Sequence, residues 1–124
     1  MLNKKTFLFF AISWTIVITF LSLVTLDSSI GSEIKIPNKD KMVHFVFYFL
    51  FVILWNFYVD FKIFHPKKAL AILLIAIGYG ILMEFFQAIF TTERTADVLD
   101  VLANSSGAIM GLITAKIYLQ NKIH

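Results

Sequence analysis

Nine residues with side chains able to carry chemistry fall into three short stretches of the sequence. Asp40, His44 and Tyr48 are four apart, so in a helix they stack on one face. Glu84 and Gln87 are three apart and follow Gly80. Arg94, Asp97, Asp100 and Asn104 lead into Gly107 and Gly111 at spacings of three and four, so a polar stripe becomes a stripe of small residues on one helix face. Carboxylates beside an imidazole can exchange protons, accept donors or ligate a cation. A guanidinium pairs with carboxylates or phosphates. Glycines at i and i+4 let a second helix approach closely.

The rest of the chain sets the medium in which these groups work. Of 124 residues, 59% are apolar and only 15% charged, against roughly 45–50% and 25% in soluble domains. A chain this short has too little interior to hide so much hydrocarbon, and the same excess excludes disorder. With no cysteine, there is no disulfide framework, thiolate metal site or Cys nucleophile. A formal charge of +3, dispersed along the chain, leaves no footprint for nucleic acid.

The apolar residues form four blocks, at about 7–26, 43–58, 69–90 and 98–119, each close to the roughly 20 residues that cross a bilayer. The expected architecture is therefore an all-α bundle of four transmembrane helices in a single domain. The first block is read as an uncleaved helix, because it is longer than a signal-peptide core and ends without a small-x-small site. Pro66 is a helix stop or a first-turn residue. Seven Lys in the two termini and the second connection, against four Lys and Arg in the other connections, favour both termini in the cytoplasm. Trp14, Trp55, Tyr58, Tyr79 and Tyr118 are candidate interfacial anchors, and the run Phe45, Phe47, Phe49, Phe51 reads as lipid-facing.

With that orientation the polar residues gather at the outer ends of the second, third and fourth spans. Ionisable groups inside a span face the bundle interior, a water cavity or one another, so the pattern implies a polar pocket opening outward. Several members also have structural readings. Asp40 and Asp97 suit helix caps. His44 suits an interhelical hydrogen bond, Glu84 an ion pair with Arg94 or His44, and Asn104 a polar tie between helices. Gly80, Gly107 and Gly111 read as packing positions.

The three stretches occur in the order of a known pattern. Asp40 to Tyr48 resembles the DK-x-x-H-x-x-x-Y signature of VanZ-like membrane proteins, Gly80 to Gln87 their G-x-x-x-E-x-x-Q, and Arg94 to Gly111 their R-x-x-D-x-x-D-x-x-x-N-x-x-G-x-x-x-G. The motif core covers residues 40–111 of a single VanZ-like membrane domain. The resemblance implies a small multi-pass protein of the bacterial cytoplasmic (inner) membrane, related to a protein linked to resistance to the glycopeptide teicoplanin. It supplies no reaction.

Three functions follow as expectations. The first is binding: a polar headgroup of a lipid, a lipid-linked envelope molecule or an amphiphilic glycopeptide antibiotic held by Asp40, His44, Tyr48, Glu84, Gln87, Arg94, Asp97, Asp100 and Asn104, without cofactor or metal. The second is a membrane-embedded enzyme acting on a headgroup ester, with His44 and Glu84 as base and orienting carboxylate, or with a divalent metal on the carboxylates and His44. No serine stands in a clear nucleophilic position. The third is a structural or assembly subunit whose polar network fixes helix packing.

Overall fold

A computed structural model describes residues 3–23, 39–59, 64–90 and 98–123; the side chains of residues 23, 39, 40, 87, 90 and 120–123 lie outside the description. Among the described residues the chain is entirely helical, with α1 (Lys4–Leu23), α2 (Lys39–Val59), α3 (Pro66–Phe90) and α4 (Val98–Ile123). All four are long and apolar enough to cross a membrane. No span buries more than 33% of its apolar window inside the bundle. The remaining hydrocarbon, including Phe9, Phe20, Leu74, Phe85 and Ile117, needs acyl chains around it, since soluble proteins rarely expose apolar patches of that extent.

Three helices start earlier than the hydropathy blocks. Residue 7 gives way to Lys4 as the start of α1 because Asn3 caps it: the Asn3 side-chain oxygen accepts from the Thr6 amide at 2.9 Å and from the Thr6 hydroxyl at 3.0 Å. An amide at this position satisfies an otherwise orphaned N–H. Helix α2 starts at Lys39 rather than 43, which puts Asp40 inside its first turn. Helix α3 starts at Pro66 rather than 69. Proline suits the first turn, where its missing N–H costs nothing. At the other end of the chain, α4 runs on to Ile123, past the expected 119.

Helix α2 touches each of the other three, and the pairings fix its direction. Against α1 it runs antiparallel: Phe57 meets Phe7, and Trp14 meets Phe47. Against α4 it runs parallel: Gly107 lies on the Phe45 carbonyl, Gly111 on the Phe49 carbonyl, and Tyr118 against Phe57. Helix α3 opposes α2, with Tyr79 stacked on Phe51 at 6.1 Å. The core at mid-depth is built from Ile18, Tyr48, Phe51, Val52, Ile72, Ala76 and Ala108.

This arrangement corrects one expectation. The Phe run is not a lipid-facing stripe: Phe51 is buried, and Phe45, Phe47 and Phe49 are half-buried along the central helix. Trp14, Trp55 and Tyr79 each hold a hydrogen-bond partner on a neighbouring helix. The Trp14 indole donates to the Phe47 carbonyl at 2.9 Å, and the Trp55 indole donates to the Thr15 hydroxyl at 3.0 Å. Tyr79 and Thr19 share a hydrogen bond between α3 and α1. Thr15 and Thr19 in turn donate to carbonyls one turn back on their own helix, each at 2.8 Å. In hydrocarbon such polar pairs hold helices together without any hydrophobic drive between them. At the far end of α2, Tyr58 lies under the Lys4 ammonium, 5.2 Å from the ring centre.

The glycine seam between α2 and α4 is directly testable. A methyl group at Gly107 would run into the Phe45 carbonyl oxygen, whereas one at Gly78 meets nothing within 4 Å. Gly107→Ala is expected to lower stability by roughly 1–3 kcal/mol, as overpacking does. Gly78→Ala should be neutral or stabilising by up to about 1 kcal/mol. Thermal unfolding of the two variants in detergent measures the contrast.

Candidate polar site within the bundle

At the end of the bundle where α2 and α4 begin and α3 approaches its end, three ionisable side chains are buried together. His44 comes from the second turn of α2, Glu84 from the penultimate turns of α3 and Asp100 from the first turn of α4. Their relative exposures are 5%, 3% and 8%. One ligand-type atom from each lies within 4.8 Å of the other two. Asp100 faces two bases: its Oδ2 is 3.8 Å from His44 Nε2, and its Oδ1 is 3.6 Å from Lys41 Nζ. Both separations are longer than direct hydrogen bonds.

The layer one turn deeper is polar as well. Tyr48 lies one turn beyond His44 and is 1% exposed. Asn104 lies one turn beyond Asp100, is 2% exposed, and fills the space over Gly80: a methyl at Gly80 would sit 2.9 Å from its amide nitrogen. Among the described residues neither the Tyr48 hydroxyl nor either polar atom of the Asn104 amide has a hydrogen-bond partner. Buried polar atoms are nearly always bonded, so this floor is polar beyond the needs of packing.

The local electrostatics explain why the groups tolerate one another. Two carboxylates about 5 Å apart repel by roughly 3 kcal/mol even at an effective dielectric near 20. Opposing this, α2 and α4 are parallel, so both present the positive ends of their helix dipoles here. Lys41 adds a positive partner on the same side. Below the site, Gly107 and Gly111 bring α4 so close that their missing side chains are replaced by the Phe45 and Phe49 carbonyls, and this close approach sets the distance between His44 and Asp100.

Of the residues singled out from sequence, the structure thus brings together His44, Tyr48, Glu84, Asp100 and Asn104, with Gly80, Gly107 and Gly111 behind them. Arg94 and Asp97, and the side chains of Asp40 and Gln87, lie outside the described residues, as does the expected pairing of Arg94 with a carboxylate. Sequence reasoning missed Lys41 as a partner of Asp100. It also missed the fully buried Asn56, whose amide donates to the Val52 carbonyl at 2.8 Å, although Asn56 continues the four-residue spacing of His44, Tyr48 and Val52. The hydroxyls of Thr15 and Thr19 gave a similar unread signal.

Comparison with known proteins matches residues 6–119 to the VanZ/LLP1 family. The chain belongs to the VanZ/LLP1 family. An uncharacterized protein of Schizosaccharomyces pombe (strain 972) is 29% identical over 122 residues, covering 95% of this chain and 73% of the relative. That relative contributes no activity. No solved structure matches. Four apolar spans and VanZ/LLP1 membership together make this a multi-pass membrane protein.

The Lys41–Asp100 contact can be isolated by a double-mutant cycle with Lys41→Met and Asp100→Asn. For a partly shielded pair at 3.6 Å the coupling is expected to be about 1 kcal/mol, read from thermal unfolding in detergent. A coupling of zero would detach Lys41 from the cluster.

Proposed function

We propose that this VanZ/LLP1 protein binds a polar headgroup at the bundle end where α2 and α4 begin, the headgroup belonging to a lipid, a lipid-linked envelope molecule or an amphiphilic glycopeptide. The observation that supports this reading is the burial of His44, Glu84 and Asp100 from three different helices at one level, above a floor whose Tyr48 and Asn104 polar atoms lack hydrogen-bond partners among the described residues. Groups in that state gain most from a ligand that brings donors and acceptors, since unmade buried hydrogen bonds are costly. In this proposal the site faces outward, both chain termini lie in the cytoplasm, and the membrane is the cytoplasmic membrane of a bacterium. Asp40, Gln87, Arg94 and Asp97 are further candidate ligands in this proposal, Arg94 for an anionic headgroup oxygen.

The competing reading is a network that only fixes helix packing, and the contacts of Asp100 with Lys41 and His44 are what favour it. The two readings separate in one experiment. Purified protein in detergent is titrated with lipid extract, then with individual anionic and zwitterionic phospholipids and with teicoplanin, while its thermal unfolding is followed. A ligand at about 100 times its Kd stabilises the folded state by roughly 2.7 kcal/mol, a rise of several degrees. His44→Ala and Glu84→Gln are expected to abolish the rise while folded protein accumulates at the normal level. Should no ligand raise the midpoint and both substitutions simply deplete folded protein, the cluster is packing.

A further inference from the structure

We infer that His44, Glu84 and Asp100 form a binding site for one divalent transition-metal ion, zinc being the expected occupant. One imidazole nitrogen and two carboxylate oxygens from three helices lie within 4.8 Å of one another, all buried. The 3.8 Å separation of His44 Nε2 and Asp100 Oδ2 is too long for a hydrogen bond. It is close to the roughly 3.4 Å that separates two ligands at about 2.1 Å from a tetrahedral ion. The third donor, from Glu84, lies within 4.8 Å of the other two. Three protein donors with the fourth position open is the pattern of catalytic rather than structural zinc sites. Calcium and magnesium fit less well, since they demand six or more oxygens.

A second observation points the same way. The Tyr48 hydroxyl and the Asn104 amide are fully buried one turn below the three donors and have no hydrogen-bond partner among the described residues. Polar groups so placed suit the outer ring of a metal site, where they orient ligands or hold a metal-bound water. Asp100 already divides its oxygens: Oδ2 faces His44, and Oδ1 faces Lys41. Lys41 then restrains the carboxylate from behind while Oδ2 takes the ion. The proposal deepens the headgroup reading, because an ion with an open position is itself a receptor for a phosphate or carboxylate oxygen. A metal-dependent reaction is not required by it.

The test uses the full chain in detergent micelles, purified without a histidine tag, stripped with a chelator and titrated with Zn2+ alone. Metal content after desalting is expected to reach one ion per chain. It should fall at least tenfold in His44→Ala, Glu84→Gln and Asp100→Asn, and stay unchanged in His65→Ala, an exposed residue at the opposite end of α3. Co2+ uptake by the wild-type chain should give the visible absorption of a four-coordinate site. This readout holds even if a variant fails to fold. A wild-type chain that takes up no Zn2+ or Co2+, or folded His44→Ala and Glu84→Gln variants that retain the ion, overturns the proposal. Repeating the phospholipid titration on stripped protein separates the two ideas. A thermal shift that persists without metal, in a chain that takes up none, keeps headgroup binding and removes the ion. Metal uptake with no response to any lipid keeps the ion site and removes headgroup binding.

Discussion

Two carboxylates and an imidazole held out of water inside a hydrocarbon-facing bundle are the constraint to which the other features of this protein answer. An ionised group alone in such a place is prohibitively costly, so the fold has to deliver partners from other helices to the same depth. It does so by running α2 and α4 in the same direction. That choice places two helix N-termini, Lys41 and His44 beside Glu84 and Asp100, and it aligns the two glycines of α4 with carbonyls of α2. The close approach and the buried charge are therefore one design: without the first, the second would have no neighbours.

How much of this could be read from the amino-acid sequence follows from the medium. In a span surrounded by lipid, the rare polar residue marks the inward face, which inverts the rule for soluble helices. The stripe from Asp100 through Asn104 to Gly107 and Gly111 was legible for that reason, and so was the pairing of His44 with Tyr48. The four spans followed from hydropathy alone. Apolar residues, by contrast, carry no such signal. Phe45, Phe47, Phe49 and Phe51 look the same whether they face lipid or a neighbouring helix, and only contacts separate them. The same holds for Trp14, Trp55 and Tyr79, whose amphipathic rings suit a headgroup layer and an interhelical hydrogen bond equally.

Helix α1 shows a different route to the same end. It brings no ionisable side chain to the site and is tied to the bundle by hydroxyls: Thr15 to Trp55, Thr19 to Tyr79. Thr15 and Thr19 also satisfy their own helix, so they can sit in hydrocarbon without penalty until a partner arrives. A span fastened this way can pack against α2 and α3 at mid-depth without disturbing the charged layer beyond.

The parallel seam joins residues about sixty positions apart in the chain, Phe45 to Gly107 and Phe49 to Gly111. A ribosome delivers α2 well before α4, so during synthesis the imidazole of His44 enters the membrane without the carboxylate that later faces it. The polar centre is thus completed only once α4 has emerged. Premature termination just ahead of Val98 leaves three spans, α1 to α3, in which His44 and Glu84 lack the carboxylate of Asp100.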